Sequence, residues 1–310
     1  MVLKLGIIGL GYWGKHYVRI VNNSNHNLTA ICDLNKKMLK KYEHIKTNFY
    51  TNYLDMFNKE PLDAVIIVTI AKTHLQIIKD ALKHKLKIFV EKPYTLNNSQ
   101  CLEIQNLLNN DTKIMIGHTY LYNSKINYIK DFIRKYFKNV KSVSFQWTCY
   151  GPIRLDTTPI FDLAVHPISI LFYLFPNKNI SNINSIKSSS GNSYFVNFKF
   201  DDIIVQMNIS WANPGKIRTM TINDENIKMI FDDVSNKEPV KILYVNNPNF
   251  KSNTQMTVHA DGNIIIPQIE NKEPLTEQFN DWIKYIKGEK ECYSNHNFSS
   301  KIIKFCESLQ

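Results

Sequence analysis

The sequence lacks long apolar runs and has few cysteines. No window reaches the ~18 uninterrupted apolar residues of a membrane-spanning helix, and the stretch that comes closest, residues 163–175, contains His166 and Pro167. The apolar first residues are interrupted by glycines and lack the layout of a signal peptide. The five cysteines show no C-x-x-C spacing, which argues against a structural zinc site and is typical of reduced thiols. We therefore expect a soluble, cytoplasmic protein with no membrane contact and no metal.

Acidic residues are fewer than basic ones. Lys and Arg number 38 against 27 Asp and Glu, which gives a formal net charge of +11. Such an excess can indicate nucleic-acid or membrane binding, but here the lysines lie mostly singly or in pairs among Asn and Ile. The densest cluster, residues 35–46, is typical of the solvated face of one helix. We expect no nucleic-acid partner and infer that the charge helps to attract small anionic ligands.

The first 118 residues alternate between two patterns. Apolar runs rich in β-branched residues predict strands at residues 4–10, 28–32, 63–70, 87–90 and 113–117. Helical patterns lie between these runs. Near-continuous apolar strands separated by helices predict a parallel sheet that is covered on both faces. We therefore predict an α/β fold, with a doubly wound (Rossmann) domain over residues 1–119.

A different pattern follows residue 120. One helix, residues 124–136, precedes a long strand at 140–150, and an apolar helix follows from about residue 162 to 175. Several alternating strands then succeed one another without helices between them, which predicts an antiparallel or mixed sheet. Two helices close the chain, and we find no internal repeat or low-complexity linker. We predict an α+β domain with a predominantly antiparallel open sheet over residues 120–310, whose last helices could pack back on the first domain.

Three glycines directly follow the first predicted strand. Gly9, Gly11 and Gly14 form a G-x-G-x-x-G pattern at the start of a predicted helix. The first glycine permits a tight turn, the second lets the backbone approach a pyrophosphate, and the third lets the helix pack on the strand. The helix N-terminus then faces the anion. The pattern alone is weak evidence, but the strand, the helix and a second strand are all in place, so we predict a dinucleotide site.

An acidic residue ends the second predicted strand. Asp33 lies nineteen residues after Gly14, where a carboxylate can accept hydrogen bonds from both ribose hydroxyls and repel a 2′-phosphate. This favours NAD over NADP, although Lys36 and Lys37 nearby leave NADP as the alternative. Asp33 could also cap a helix that starts near Asn35, which does not exclude the ribose role.

Six motifs, taken in order, carry a family resemblance. They are GIIGLGYWGKHYVR at 6–19, CDLN at 32–35, VTIAKTHL at 68–75, VEKPYTLN at 90–97, GHTYLYN at 117–123 and FDLAVHPISILFYL at 161–174. With this set the sequence resembles the Gfo/Idh/MocA family of NAD(P)-dependent oxidoreductases along nearly its whole length. Among the branches of that family it looks most like those that act on sugars or nucleotide sugars.

The resemblance gives a role to the charged residues after the fourth apolar run. Ligands of an open parallel sheet bind beyond the carboxyl ends of its strands, and Glu91, Lys92 and Pro93 leave the run at that end. In the family this lysine contacts the reacting hydroxyl and the nicotinamide ribose. The resemblance therefore implies that Lys92 stabilises negative charge on the substrate oxygen and could relay a proton, and that the Lys92–Pro93 peptide is cis, as it often is in relatives. Spacing alone would favour a surface lysine.

The motif FDLAVHPIS supplies two further catalytic candidates. Asp162 and His166 are four residues apart, so on a helix they share one face. An imidazole can accept the proton as a hydride leaves, and a nearby carboxylate can orient the substrate hydroxyl. The alternative is an N-capping Asp162 and a core-facing His166. Relatives often carry an acidic residue where this chain has Pro167, and we expect the helix to start or kink near this proline.

The resemblance also yields less specific candidates. Further cofactor-binding candidates, beside the glycines, Asp33 and residues 91–93, are Tyr12, Trp13, Thr69 and His74. Substrate-binding candidates, beside Asp162, are His118, Tyr120, Tyr122, Asn123 and Arg154. Arg154 suits bidentate contacts with a carboxylate or phosphate, but it could equally be solvent-exposed. Half of the residues at 118–123 could simply pack between the domains.

Together these residues predict an NAD-dependent dehydrogenase or reductase acting on a secondary alcohol of a sugar or nucleotide sugar. Two alternatives keep the fold: tightly bound NAD as a transient redox relay for epimerisation or glycoside cleavage, and a non-catalytic NAD-binding regulatory protein. We expect the second domain to bind substrate and to form a homodimer or homotetramer, because the exposed face of its sheet would otherwise leave a broad apolar surface unpaired.

Overall fold

A computed structural model describes residues 1–244 and 262–310. The chain divides into two compact units. The first unit contains Met1–Thr119 and Glu273–Glu307, and the second contains Tyr120–Lys272 and Ser308–Gln310. The predicted domains, residues 1–119 and 120–310, stay a prediction about which parts of the chain fold independently.

The first unit is built on a six-stranded parallel sheet. Its strands are β1 (Lys4–Ile8), β2 (Asn27–Cys32), β3 (Asn48–Tyr50), β4 (Ala64–Ile67), β5 (Lys87–Glu91) and β6 (Ile114–Gly117). The strand order is β3-β2-β1-β4-β5-β6, and every neighbouring pair is parallel. This is the order of a doubly wound sheet, in which the winding reverses between β1 and β4. The predicted fold class is confirmed.

Burial explains which strands could be predicted from the sequence. All residues of β4 and β6 are buried, as are all but the first residues of β1 and β5. Strands covered on both faces read as continuous apolar runs. The edge strand β3 was not predicted, because it has three residues, none of them buried, and pairs only with β2.

Five helices follow the strands of the first unit. They are α1 (Gly14–Asn22), α2 (Lys36–Lys40), α3 (Tyr53–Lys59), α4 (His74–Lys83) and α5 (Asn98–Gln105). Asparagines start three of them: the side-chain oxygens of Asn35, Asn52 and Asn97 accept hydrogen bonds from N–H groups in the first turns of α2, α3 and α5. Such caps satisfy donors that have no partner within the helix.

The second unit contains an eight-stranded sheet and two helices. The helices are α6 (Ser124–Tyr136) and α7 (Val165–Leu174). The strands are β7 (Ser142–Tyr150), β8 (Ile180–Lys187), β9 (Ser193–Phe200), β10 (Ile203–Ser210), β11 (Ala212–Asn223), β12 (Ile227–Asp232), β13 (Val240–Tyr244) and β14 (Ile264–Ile265). The order is β14-β13-β12-β11-β7-β10-β9-β8, with β7 and β10 parallel and all other pairs antiparallel. The predicted, predominantly antiparallel sheet is confirmed.

One face of this sheet forms the core of the second unit. Phe145 and Trp147 of β7 and Met207 of β10 are buried on this face. Phe172 of α7 stacks on Phe200 of β9 at a centroid distance of 5.5 Å. The apolar helix α7 has ten residues, and no helix within the described ranges is long and apolar enough to cross a membrane.

The opposite face of the sheet corrects one expectation. The side chains at its centre are amides and hydroxyls: Ser144, Gln146, Gln206, Asn208, Thr219 and Thr221. Exposed apolar side chains lie toward one edge, at Ile186, Phe195 and Ile204. The expectation of a broad apolar surface, on which the oligomer prediction depended, is therefore wrong, because the outward positions of the central strands are polar. The homodimer or homotetramer stays a prediction.

The last two helices complete the first unit. They are α8 (Pro274–Ile286) and α9 (His296–Ser308). Trp282 of α8 contacts Phe89 of β5 edge-on at 5.7 Å, and His296 of α9 pairs through Nδ1 with the hydroxyl of Tyr94 at 2.9 Å. Both helices thus contact the segment around the end of β5.

Candidate functional site

The glycine turn after β1 is closely packed at two positions and open at the third. Gly9 has φ +95°, and a Cβ there would lie 2.7 Å from the carbonyl oxygen of Val68. A Cβ on Gly14 would lie 2.1 Å from the carbonyl oxygen of Gly9. A Cβ on Gly11 would meet nothing within 4 Å. Only glycine fits the first two positions, and the space beside Gly11 is open to a ligand.

The helix after this turn is suited to an anion. The first turn of α1 has no side-chain cap and no acidic residue, so its N-terminal N–H groups and the positive end of the helix dipole lack a negative partner from the helix itself. Lys15 in the first turn of α1 adds positive charge, whereas Arg19 in the last turn is paired with Glu273. The turn and the helix start therefore fit a pyrophosphate group.

Asp33 holds the turn together from the end of β2. One oxygen, Oδ2, accepts a hydrogen bond from the Leu10 N–H at 2.7 Å, and Oδ1 accepts one from the Asn35 N–H at 2.8 Å. The cap of α2 is Asn35, which accepts from the N–H of Lys37, so the alternative that Asp33 itself caps this helix is wrong. A carboxylate has about four acceptor positions, which leaves capacity for ribose hydroxyls.

Tyr12 and Trp13 lie on the surface beside the glycine turn. They are 71% and 43% exposed, and their rings meet edge-on at a centroid distance of 5.4 Å. The Nζ atom of Lys15 lies 4.8 Å from the centre of the Tyr12 ring. The two aromatic side chains are accessible to a ligand, and their contact with the cofactor stays a prediction.

His74 connects the loops that follow β4 and β5. It is 1% exposed, and its Nε2 and Nδ1 atoms lie 3.1 Å and 3.0 Å from the carbonyl oxygens of Thr69 and Pro93. Burial lowers the pKa of this imidazole, and a neutral ring donates through only one nitrogen. Thr69 also accepts a hydrogen bond from the hydroxyl of Thr73. The ring therefore positions the two loops, and any role of Thr69 or His74 toward a cofactor stays a prediction.

The charged end of β5 is organised around the buried carboxylate of Glu91. This residue is 5% exposed. Its Oε1 atom accepts a hydrogen bond from the Tyr17 hydroxyl at 2.6 Å, and its Oε2 atom accepts one from the Lys92 N–H at 3.0 Å. On β6, Gly117 lies opposite Glu91, and a Cβ there would come within 2.9 Å of Oε2. Glu91 therefore points into the protein, and its carboxylate fixes the backbone at Lys92.

In the hydrogen-bonded pair of Tyr17 and Glu91, the proton stays on the tyrosine. Burial, reinforced by the charge of Glu91 and the hydrogen bond to it, raises the pKa of Tyr17 well above its ordinary value. Burial also raises the pKa of Glu91, while Tyr17 and Lys92 act in the opposite direction. Tyr17 was not among the predicted site residues. The Lys92–Pro93 peptide bond is cis.

His118 is buried at the end of β6. It is 2% exposed, its Nε2 atom lies 3.1 Å from the hydroxyl of Ser299, and its ring meets Phe298 edge-on. Burial, and next the charge of Lys92, lower the pKa of His118 to about 3. Its Nδ1 atom has no hydrogen-bond partner within the described residues. His118 is therefore a neutral imidazole, one of whose nitrogens is buried without a hydrogen-bond partner within the described residues.

In the second unit, the partners of Asp162 include side chains from a loop and from the end of a strand. The indole Nε1 of Trp211 donates a hydrogen bond to Oδ2 at 3.1 Å, and the Arg154 guanidinium lies 3.5 Å from Oδ1. Arg154 also makes a bidentate contact with Asp156, at 3.1 Å and 2.8 Å. The bidentate edge of Arg154 thus serves a carboxylate of the protein, and its contact with a substrate stays a prediction.

Asp162 and His166 lie on one continuous but irregular helix. A π-helical turn covers Ile160–Ala164, and α7 begins at Val165. Pro167 is the third residue of α7, so the irregularity falls just before the proline rather than at it. A π turn accommodates a lost i→i−4 hydrogen bond, and such turns are frequent at functional sites. The two candidate side chains therefore lie at the junction of the π turn and the α-helix.

Tyr120 connects His166 to a second carboxylate. Its ring meets the His166 ring edge-on at a centroid distance of 5.1 Å and the Trp147 ring at 5.2 Å. Its hydroxyl donates to Oδ2 of Asp233 at 2.7 Å. Burial, and next the charge of Asp233, raise the pKa of Tyr120 well above its ordinary value, so Tyr120 remains a neutral hydrogen-bond donor. Asp233 was not predicted, since nothing in its local sequence indicates this partner.

Asn123 and Tyr122 complete the predicted set. The side-chain oxygen of Asn123 caps α6 by accepting from the N–H of Lys125 at 2.8 Å, which gives this residue a structural role. Tyr122 is half-buried in a 3₁₀ turn, Thr119–Tyr122. Across residues 1–244 and 262–310, no cluster of three or more His, Cys, Asp or Glu side chains could hold a metal ion, and the five cysteines are free thiols.

Comparison with known proteins matches most of the first unit to one family of oxidoreductases. Residues 3–118 match the oxidoreductase family with an NAD-binding Rossmann fold that is designated GFO_IDH_MocA. This matched segment contains the glycine turn and the six-stranded parallel sheet of the first unit. Over these residues the chain is thus similar to the Gfo/Idh/MocA oxidoreductases, and the predicted resemblance is confirmed.

Two curated relatives are inositol dehydrogenases. The inositol 2-dehydrogenase/D-chiro-inositol 3-dehydrogenase of Lactiplantibacillus plantarum is 24% identical over 201 residues, which cover 59% of this chain and 55% of that protein. The inositol 2-dehydrogenase of Salmonella typhimurium is 28% identical over 141 residues, which cover 43% and 42%. The chain thus spans about half the length of the curated relatives it matches.

Solved structures share the fold along the chain. The UDP-N-acetylglucosamine 3-dehydrogenase of Acidithiobacillus ferrooxidans superposes with a TM-score of 0.83 at 14% identity, covering 100% of this chain and 97% of that one. An NAD-binding protein from Listeria innocua gives a TM-score of 0.83 at 17% identity, covering 100% and 94%. At these identities the likeness shows the fold alone.

The Tyr17–Glu91 hydrogen bond is expected to stabilise the first unit. In a Tyr17→Phe variant, one oxygen of a buried carboxylate loses its donor, so the free energy of unfolding should fall by about 1.5–3 kcal/mol. Urea unfolding at pH 7 measures this. The matched control is Tyr53→Phe, because the Tyr53 hydroxyl also donates to a carboxylate, Asp80, which keeps its bonds from Gln76 and Lys83. Equal losses in the two variants would contradict the special role of Glu91.

His118 is expected to make folding stability depend on pH. Its folded pKa of about 3 lies below its ordinary value of 6.5, so below pH 6.5 the unfolded chain binds a proton that the folded chain does not. Its contribution is complete above pH 6.5 and is lost toward pH 3, with a slope approaching about 1.4 kcal/mol per pH unit. His118→Gln should reduce the measured slope between pH 6 and 4.5, whereas His44→Gln, at an exposed position, should not. Identical slopes in all three proteins would refute this.

Proposed function

We propose that this protein is an NAD-dependent dehydrogenase or reductase that acts on a secondary alcohol, or the corresponding ketone, of a sugar or nucleotide sugar. The observation that carries the proposal is the position of Lys92. It follows β5 at the carboxyl end of the parallel sheet, and its backbone N–H is fixed by the buried Glu91 carboxylate. Ligands of doubly wound sheets bind at this end of the strands.

The glycine turn and Asp33 are the proposed cofactor site. The open space beside Gly11 would take the pyrophosphate, and the Asp33 carboxylate would accept hydrogen bonds from the ribose hydroxyls. A carboxylate at this position repels a 2′-phosphate, which supports NAD, and Lys36 and Lys37 keep NADP as the alternative. When bound, NAD would supply the acceptor for the hydride that leaves the carbinol carbon.

Three side chains act together in removing the proton from the reacting hydroxyl. His166 accepts it as general base, since an imidazole has an ordinary pKa close to neutrality. Asp162, held by Trp211 and Arg154, orients the hydroxyl. The Lys92 ammonium stabilises the negative charge that develops on the substrate oxygen. In the reverse direction His166 returns the proton to the ketone oxygen as the hydride arrives.

The substrate class is supported by the relatives. Several curated matches are dehydrogenases of inositol, a polyhydroxylated ring, and one structure of the same fold is a dehydrogenase of a UDP-linked sugar. A polyol ring with several hydroxyls requires hydrogen-bonding side chains to select one carbon.

The proposal predicts a specific loss of turnover in Lys92→Ala. The purified protein is mixed with NAD and a panel of free and nucleotide-linked sugars, and NADH formation is followed by absorbance. With the active substrate, Lys92→Ala should lower kcat by about 10²–10⁴-fold, while NAD binding, titrated separately, persists. The control is Lys87→Ala at the opposite end of the same strand, which should keep near-normal turnover. Normal turnover by Lys92→Ala would show that the assignment is wrong.

The same assay separates the alternatives. Substrate conversion that requires NAD without net NADH formation would support the redox-relay function. NAD binding without conversion of any sugar, in either direction, would support a binding or regulatory protein.

Cofactor choice is predicted to depend on the charge of Asp33. Asp33→Asn keeps an acceptor oxygen for the turn but removes the negative charge, so the Kd for NADP relative to NAD should fall by about tenfold or more, equivalent to ~1.4 kcal/mol. Titration of both cofactors measures the ratio. Asp63→Asn is the control, because Asp63 accepts a backbone N–H from Lys4 at the other end of β1. An unchanged ratio in Asp33→Asn would defeat the ribose role.

A further inference from the structure

Arg218 is a buried cation in the second unit to which no function has been assigned above. It lies on β11 opposite Trp147 of β7 and is 7% exposed. The carbon at the centre of its guanidinium lies 5.6 Å from the centre of the Trp147 ring. A buried charge is costly unless it is paired with an opposite charge and fully hydrogen-bonded, so its partners decide what it does.

The hydrogen bonds of Arg218 use only one of its terminal nitrogens. Nη1 donates to the carbonyl oxygens of Thr148 at 2.6 Å and of Ile217 at 2.8 Å. These carbonyls lie where the pairing of β11 with β7 shifts register, between Ala212 and Ile217. In the part of the chain that the structure describes, Nε and Nη2 have no acceptor, and no carboxylate lies within ion-pair distance of Arg218. The edge of the guanidinium that suits a bidentate carboxylate contact is thus unused.

Arg218 lies beside the ring cluster that contains His166. Trp147, against which Arg218 packs, meets Tyr120 edge-on at 5.2 Å, and Tyr120 meets His166 at 5.1 Å. The positive charge of Arg218 also acts on the Tyr120 hydroxyl. The four side chains form one continuous group within the second unit.

We propose that Arg218 binds a carboxylate of the substrate, so that the protein selects a sugar acid over the neutral sugar. The proposal rests on the proposed function, because it places the carboxylate on the molecule whose hydroxyl His166 deprotonates. Bidentate contacts between a guanidinium and a carboxylate are short and strong. Arg154, the other arginine near this site, already uses its bidentate edge on Asp156, whereas Arg218 has the corresponding edge available.

The experiment uses two ligands that differ only in the carboxylate. UDP-glucuronate and UDP-glucose are titrated calorimetrically into the full chain with NAD present. We expect wild-type protein to bind the glucuronate at least about tenfold more tightly. Arg218→Met should abolish most of this preference and leave UDP-glucose binding unchanged. Lys216→Met, which removes a positive charge from an exposed position on the same strand, should keep the wild-type preference.

A purely structural Arg218 gives a different result. Its loss would lower the affinity for both ligands by the same factor and lower the melting temperature of the protein. This outcome overturns the proposal. Equal affinity of wild-type protein for the two ligands, or no binding of the glucuronate, overturns it as well. If Arg218→Met does not fold, Arg218→Lys decides, because a lysine keeps the charge but has no bidentate edge and should still lose most of the preference.

The test is independent of hydride transfer. Calorimetry measures binding alone, so failure of the carboxylate proposal leaves the dehydrogenase function to be judged by NADH formation with neutral sugars. Conversely, a preference for the glucuronate without NADH formation would support Arg218 as the anion site and count against the dehydrogenase function.

Discussion

One buried carboxylate, that of Glu91, determines how the end of β5 is held against helix α1 in the first unit. Its two oxygens bind the hydroxyl of Tyr17, on the helix that follows the glycine turn, and the backbone N–H of Lys92. Only a glycine at position 117 leaves room for it. The Glu91 side chain therefore links the helix after the glycine turn to the end of β5. This explains why an apolar strand ends in two opposite charges: one points into the protein and sets the backbone position of the other.

The sequence predicted the features of this region that depend only on residues close together in the chain. The glycine spacing and the position of Asp33 can be read directly, because each follows from one turn and one strand. Tyr17 could not be found in this way, since its partner lies 74 residues away and a tyrosine on the buried face of a helix is usually a core residue. Gly117 was also missed, because its role depends on a side chain on the neighbouring strand.

In the second unit, the alternation that predicts the strands also determines which residues face outward. Alternation predicted most of its strands, yet the same alternation places Ser144 and Gln146 outward on β7, and Gln206 and Asn208 outward on β10. These residues could have corrected the expectation of an apolar face. The pairing of Arg154 with Asp156 is likewise local, whereas the π turn before Pro167 is not readable, since it depends on how the chain satisfies its hydrogen bonds around the missing N–H.

Arg154 and Arg218 of the second unit show how a protein can treat a buried or half-buried cation in opposite ways. Arg154 is neutralised by Asp156 and Asp162, so its charge is compensated within the chain and serves to hold Asp162. Arg218 is more buried, and its Nη1 donates to two neutral carbonyl oxygens, those of Thr148 and Ile217. A cation in that state lowers stability relative to a paired one, and positions that break a local rule of this kind are expected to be functional. A negatively charged ligand removes the deficit at Arg218 when it binds, and it gains affinity because the guanidinium is already fixed in place.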